Sequence, residues 1–450
     1  MERTLAQDTI KKAGDKVRLN GWVKIRRDHG QIIFLDLRDR SGLVQLVINL
    51  KELNEVSRAE AEKVRPEYAL EIEGAVVERK PGAVNPRMAT GTVEVKVSSI
   101  KILAAAESLP FDMGGEELNL ELPTLLDYRA LTLRHPKVNA IFKVQAVVID
   151  AFREALKKRD FFEFQSPVLI PEAPEGGAEV FRVPYFGHEV YLSQSPQLYK
   201  QILTGAYERV FTVNKTLRAE PSMTTRHLTE VTTLDAEFGF IDSWLEVKEM
   251  TEYVIKYIFD RVAKECAGEL ALHNSSVPAV SEIIPLIKLR EAQEIIFKRT
   301  GRDHRHEPDL DPEDEREICR WSKEEKVSDL VFVSHYPTKK RPFYTFADPQ
   351  DPEYTLSFDL IGRGAEWLTG GQRINGYELL RQKAEERGAN PDKLKLYLQA
   401  FQYGMPPEGG FSFGSERITM HILGLSNIRE ASLFPRDMER VDFRLSSEKS

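Results

Sequence analysis

Five runs within the first hundred residues alternate apolar and polar positions: VRLNGWVKIRR, QIIFLDLRDRSG, LVQLVINL, ALEIEGAVVERK and GTVEVKVSSIKIL. A period of two sends successive side chains to opposite faces, so each run reads as a strand, with Gly, Asp and Asn breaking the runs apart. Between the third and fourth runs, KELNEVSRAEAEKV reads as a helix. The pattern predicts a small five-stranded barrel over residues 1–103. Residues 104–136 are weakly periodic and read as a linker or hinge. From about residue 137 a long helical repeat begins, VNAIFKVQAVVIDAFREALKKRDF, and strands then alternate with helices toward the end of the chain. The expected class is α+β, with a barrel domain followed by a larger domain over 137–450.

Five strands with a helix after the third is the order of an OB-fold, a module that binds single-stranded nucleic acid; another small barrel without a ligand shares it. Charge first argues against nucleic acid, since 63 Lys and Arg face 71 Asp and Glu and the net charge is −8. Divided by position, residues 1–103 hold 19 basic and 15 acidic residues, so the barrel is mildly basic and the acidic excess lies beyond it. Two cysteines, Cys266 and Cys319, make neither a disulfide framework nor a zinc site. No apolar run approaches the roughly 18 residues of a membrane span. The opening residues lack the apolar core of a secretory signal, and the cytoplasm is the expected location. The charged, proline-bearing stretch HRHEPDLDPEDEREICR (304–320) lacks metal-ligand spacing and reads as a solvated surface insertion.

Three segments carry chemistry. DFFEFQSPVLIP (160–171) reads as an apolar strand containing Pro167, which has no N–H to donate and so marks an edge or interface strand. In LRAEPSMTTRHLTEVTTLDAEFGF (217–240), Arg218 and Glu220 read as sharing one strand face, and Asp235 and Glu237 as sharing a face of the next strand. This is either a solvated hairpin with cross-strand ion pairs or a sheet floor that sets charges in a cleft; Val231, Leu234 and Phe238 between the charges favour the floor. In GGFSFGSERITMHILG (409–424), a glycine-rich strand runs into a helix with Arg417 in its first turn, a place that suits anions.

In this order the three segments resemble motifs 1, 2 and 3 of the class II aminoacyl-tRNA synthetases. With the barrel in front, the chain resembles subclass IIb over nearly its whole length. The resemblance implies an N-terminal OB-fold anticodon-binding domain and a catalytic domain built on a mixed, mainly antiparallel sheet flanked by helices. PEGGAEVF (174–181), YLSQSPQLYKQ (191–201) and FDLIGRGAEWLTGGQRI (358–374) are similar to the aspartyl members of the compact archaeal and eukaryotic kind.

That likeness implies a ligase that activates L-aspartate with ATP and transfers it to tRNA(Asp), with tRNA(Asn) left open as a second acceptor. The implied catalytic residues are Arg218, Glu220 and Arg417. ATP would meet Arg218, Ala219, Glu220, Arg226, His227, Leu228, Glu366, Gly414, Ser415, Glu416 and Arg417. Aspartate would meet Glu175, Gln197, Leu198, Tyr199, Lys200, Arg218, Asp235, Thr369 and Arg373. Glu366 and Thr369, the latter where serine is usual, would hold Mg²⁺. Phe34 and Gln45 would stack on and hydrogen-bond the anticodon. A homodimer through the strand around Pro167 is implied as well. The rival readings are an asparaginyl ligase, against which Lys200 and GGQRI argue; a tRNA-independent asparagine synthetase-like amide ligase, which would lack the barrel; and an RNA-binding protein with a decayed catalytic domain.

Overall fold

Val17, Leu19, Val23, Ile33, Leu35 and Leu37 alternate with more exposed neighbours and point into one apolar core. They belong to β1 (Lys16–Asp28) and β2 (Ile32–Asp39), which with β3 (Gly42–Asn49), β4 (Ala69–Glu78) and β5 (Val93–Ala104) close into a barrel in the order β1-β2-β3-β5-β4. The β3–β5 pairing is parallel and the others are antiparallel. The helix Glu55–Lys63 follows β3, and Asn54 caps it by accepting from Ser57 N. This is the OB-fold expected from the period-two runs. The computed structural model describes residues 1–171, 180–222 and 224–445. The chain divides into two compact units, Met1–Asn119 and Leu120–Ser450.

The second unit is built on an eight-stranded sheet. Its strands are β6 (Phe162–Glu163), β10 (Arg209–Leu217), β11 (Glu230–Gly239), β12 (Leu286–Lys288), β13 (Leu330–Ser334), β14 (Ser357–Gly362), β15 (Ala365–Gln372) and β16 (Glu408–Gly414), in the order β12-β13-β14-β15-β16-β11-β10-β6. The two outermost pairings are parallel and the five between them antiparallel, the mixed, mainly antiparallel sheet that was expected. A separate three-stranded sheet joins β7 (Leu169–Ile170), β9 (His188–Leu192) and β8 (Arg182–Tyr185).

The register gives the large sheet two unlike faces. Leu234, Phe413, Leu368, Leu360 and Phe332 stand opposite one another on successive strands. They are buried in the main core with residues of the helices Pro136–Lys157 and Trp244–Glu265. One residue along, on the other face, Thr212, Asp235, Ser412, Thr369 and Asp359 form the matching row. Gly370 belongs to the apolar side, where a Cβ would lie 2.6 Å from Phe358 Cζ.

The strand expected over 160–171 is two strands in two sheets, with Pro167 in neither. β6 pairs parallel with β10 at the edge of the large sheet, whereas β7 joins the small one. Proline cannot donate to a ladder, so pairing lapses around it. The helix Pro136–Lys157 starts where its periodicity begins, with Pro136 in its first turn and His135 accepting from Lys137 N. The residues before it are tied to the far end of their unit: the buried Arg129 donates to the carbonyls of Glu430, Ser432 and Leu433. No helix among the described residues is long and apolar enough to cross a membrane.

Candidate active site

Over the polar face of the large sheet lie two adjoining chambers of about 390 and 370 Å³. Arg218, Glu220, Thr233, Thr369 and Ser412 line both. Gln194, Gln197, Arg341, Tyr344 and Arg373 belong to the first, and Arg226, His227, Leu228, Glu366 and Arg417 to the second.

The first chamber rests on buried charges. Arg373 donates from Nε to Glu237 Oε1 across 2.7 Å and from Nη2 to the Gly410 carbonyl across 3.0 Å. Lys200 Nζ lies 3.0 Å from Glu237 Oε2 and 3.2 Å from Asp235 Oδ1. Burial opposes the charge of Glu237, yet Arg373 and Lys200 outweigh it and hold its carboxyl below the ordinary value. A Cβ on Gly410 would lie 2.1 Å from Glu237 Oε2, so only glycine leaves room for this carboxylate. Behind it, Glu408 accepts from Gln201 Nε2 at 2.8 Å, and Gln201 accepts in turn from the Tyr397 hydroxyl and Gln197 Nε2. Burial, reinforced by the charge of Glu237, pushes Glu408 well above the ordinary value. Lys200 thus answers both Glu237 and Asp235, and Asp235 Oδ2 has no hydrogen-bond partner among the described residues.

The second chamber is rimmed by arginines. Arg417, in the first turn of the helix Ser415–Leu423, donates to the Glu366 carbonyl at 3.2 Å and lies 3.8 Å from its carboxylate. Arg218 is half-exposed, and its side chain makes a 3.9 Å ion pair with Glu220. His227 stands 3.7 Å from the other oxygen of Glu220. Glu416 has a structural place as well: both its oxygens accept from Thr232 N, tying the helix start to β11.

Between the chambers, the row across the sheet brings Asp359 opposite Thr369, and the Thr369 hydroxyl donates to Glu366 Oε1 at 3.0 Å. Asp359 Oδ2 accepts from Arg341 at 2.7 Å, while Oδ1 is buried without a hydrogen-bond partner among the described residues. Burial, opposed by Arg341 and aided by the charge of Glu366, pushes Asp359 up to about 6. Two carboxylates and a hydroxyl with an orphaned buried oxygen fit a hard divalent cation. Asp359 is absent from the sequence-derived set. It lies in the quoted FDLIG run, but every residue of β14 is buried, so nothing there marks one position out.

The other expected residues fall as follows. Arg218 and Glu220 are not on a strand: β10 ends at Leu217. Arg218 N makes one last rung to the Thr229 carbonyl before Pro221, which cannot donate, takes the chain away. Both side chains still reach the chambers. Lys200 and Asp235 are buried beneath the first chamber, Leu198 and Tyr199 line a small apolar cavity that shares Gln194 and Ser195 with that chamber, and Ala219 and Ser415 line neither chamber. Glu175 lies outside the described residues.

The 304–320 stretch is not a solvated insertion. Ile318, Cys319 and Trp321 are buried on the helix Pro312–Lys326. His304, Asp311 and Asp314 cluster as metal ligands would, but Arg302 Nη2, 2.8 Å from Asp311 and 3.2 Å from Asp314, already supplies the positive charge.

In the barrel, Phe34 and Gln45 face outward on neighbouring strands. Phe34 is half-exposed and packs edge-on against His29. Gln45 donates to Glu94 and accepts from Arg27, which is itself paired with Asp36. Phe34 is therefore not barrel core, and an aromatic face is open beside hydrogen-bonding groups.

Comparison with known proteins agrees with this architecture. Residues 121–438 match the model of tRNA synthetases class II (D, K and N), and residues 17–103 that of the OB-fold nucleic acid binding domain. An aspartate--tRNA(Asp/Asn) ligase of Deinococcus radiodurans is 38% identical over 98% of this chain and 99% of its own. An aspartate--tRNA(Asp) ligase of Pyrococcus abyssi is 36% identical over 95% of this chain and 96% of its own. A solved asparaginyl-tRNA synthetase from Pyrococcus horikoshii, complexed with asparaginyl-adenylate, superposes with a TM-score of 0.87 at 33% identity over 98% of this chain and 99% of that one. With its barrel, its two-faced sheet and its arginine-rimmed chambers, the chain belongs to the class II tRNA synthetases of the D, K and N group.

Proposed function

We propose that the protein is an aspartate--tRNA ligase. The observation that carries this reading is the buried charge set under the first chamber, where Arg373 lines the wall and Lys200 lies behind it. An aspartate side chain needs a cation, and Arg373 supplies one on the chamber wall. The names of the ligases from Deinococcus radiodurans and Pyrococcus abyssi support the same choice.

The reaction has two steps. The α-carboxylate of aspartate attacks the α-phosphate of ATP and pyrophosphate leaves. The terminal ribose hydroxyl of the tRNA then attacks the acyl carbon and AMP leaves. No protein nucleophile is needed, so the chain contributes position and charge. Arg218, on the wall common to both chambers, meets the α-phosphate where the two substrates join, and Glu220 beside it orients it. Arg417 and Arg226 face the outer phosphates, with His227 and Leu228 packing around the nucleotide. Asp359, Glu366 and Thr369 would hold Mg²⁺, which neutralises phosphate charge. Phe34 and Gln45 read the anticodon by stacking and hydrogen bonding.

Exposed apolar residues on β6 and after Pro167 (Phe162, Val168 and Leu169) support a second copy of this chain as partner, and the cytoplasm is the proposed location. ATP–pyrophosphate exchange with aspartate and with asparagine tests the reading: exchange is expected with aspartate, and a preference for asparagine overturns it. Aminoacylation of purified tRNA(Asp) and tRNA(Asn) then fixes the acceptor range.

A further inference from the structure

We infer that Glu315 is a positioning residue of the nucleotide chamber, holding Arg226 and the backbone of Glu366 with opposite oxygens of one carboxylate. The inference deepens the ligase reading and rests on it for the identity of the nucleotide. Glu315 lies one turn into the helix Pro312–Lys326, in the stretch whose composition suggests a solvated insertion. Its Oε2 accepts from Arg226 Nη1 at 3.0 Å, and its Oε1 accepts from Glu366 N at 3.0 Å. The side chain is only 12% exposed and does not line the chamber, whereas Arg226 and Glu366 both do.

The surroundings make this contact a lock. Arg226 Nη2 donates to the carbonyl of Gly364, in the turn between β14 and β15, at 3.2 Å. Gly364 N donates to Cys319 Sγ, on the same helix as Glu315, at 3.3 Å. Gly364 has φ +81°, and a Cβ there would lie 2.7 Å from Arg316 Cγ. Helix, turn and arginine are thus fixed against one another. The helix is anchored in turn by Asp311, which caps it by accepting from Glu313 and Asp314 N, and by the buried Ile318 and Trp321.

Arg226 sits beyond the end of β10, where no strand pairing holds it. A free arginine loses rotamer entropy when it grips a phosphate; one held in place beforehand has already met that cost. Glu315 and Gly364 engage its two terminal nitrogens and leave the remaining N–H groups to an anionic ligand. The same carboxylate fixes the backbone from which the Glu366 side chain springs. None of these contacts touches Arg373 or Gln197, so the effect should fall on the nucleotide and spare the amino acid.

The test uses the full chain as wild type, E315A, E315Q, R226A and the double variant R226A/E315A. ATP binding is measured by equilibrium dialysis, and KM for ATP and for aspartate by exchange. E315A and R226A should each weaken ATP binding about tenfold, the double variant should be within about twofold of R226A, and aspartate KM should stay within about twofold of wild type. E315Q, which keeps an oxygen for Glu366 N but turns an NH₂ toward the Arg226 donor, should keep much of the loss. Independent effects, near a hundredfold in the double variant, would overturn the inference. So would wild-type ATP binding by E315A, or a parallel rise in aspartate KM. Should E315A not fold, the double variant R226A/E315Q replaces R226A/E315A: the loss caused by E315Q must vanish in the R226A background, and its persistence there overturns the inference. If the wild type binds ATP but shows no aspartate-dependent exchange, the ligase reading fails while the coupling seen by dialysis still decides the role of Glu315.

Discussion

Arg373 Nε donates to Glu237 Oε1 across 2.7 Å, and both side chains are buried. A buried pair of this kind adds little net stability while both members are present, but the loss of one strands the other. Here Glu237 answers Lys200 as well. Glu237→Gln removes the carboxylate that both buried cations share, and stability should fall by about 3–5 kcal/mol. Urea unfolding measures the change, and an unchanged midpoint would contradict it.

Arg218 presents the opposite case. Its side chain is half-exposed, and its one ion pair among the described residues spans 3.9 Å. Such a residue contributes about 0–1 kcal/mol to folding. Arg218→Ala should therefore melt within a few degrees of wild type while losing on the order of a hundredfold or more in ATP–pyrophosphate exchange. Near-normal exchange by the folded variant would remove Arg218 from the mechanism.

Asp359 should make divalent-cation binding depend on pH. Its carboxyl is pushed up to about 6, chiefly by burial, so the free enzyme loses that negative charge as pH falls through 6. Mn²⁺ affinity, followed by electron paramagnetic resonance, should weaken between pH 7.5 and pH 5. Asp359→Asn should bind weakly at both pH values and lose this dependence. A wild-type affinity that is level across the range would show that Asp359 is no ligand.

His421 should set part of the acid sensitivity of the fold. The ring stacks on Trp367 at 5.3 Å, and burial, aided by Arg417, Arg226 and Arg363, pulls it down to about 3. In the unfolded chain it takes a proton near pH 6.5, so the folded state loses stability as pH falls from 6.5 toward 3. At pH 5 that loss is about 2 kcal/mol, at one and a half pH units of about 1.4 kcal/mol each. His421→Phe keeps an aromatic partner for Trp367 and removes the proton. The gap between its melting temperatures at pH 7.5 and pH 5 should be narrower than that of wild type.

The two domains were legible because strand alternation and helical spacing survive in the residues that build their cores. The barrel and the helix Pro136–Lys157 lie where periodicity places them. What stayed hidden depended on pairing between distant strands. Asp359 becomes a partner of Thr369 only through the β14–β15 register, and its own strand is uniformly buried. Glu315 was masked by the charge of its helix, whose Ile318, Cys319 and Trp321 form a narrow apolar stripe among acidic residues. Pro167 lies in the gap between two short strands where the sequence reads one, and β10 stops at Leu217, short of Arg218 and Glu220.

The two-faced sheet has a consequence for the fidelity of folding. Along β11, Leu234 and Ala236 alternate with Asp235 and Glu237, so a slip of one residue would drive both carboxylates into the hydrocarbon layer. Each would lose its cation there at a cost of about 3–5 kcal/mol, a large part of what holds a domain of this kind together, so the charges that serve the substrate also select the register of the strand that carries them.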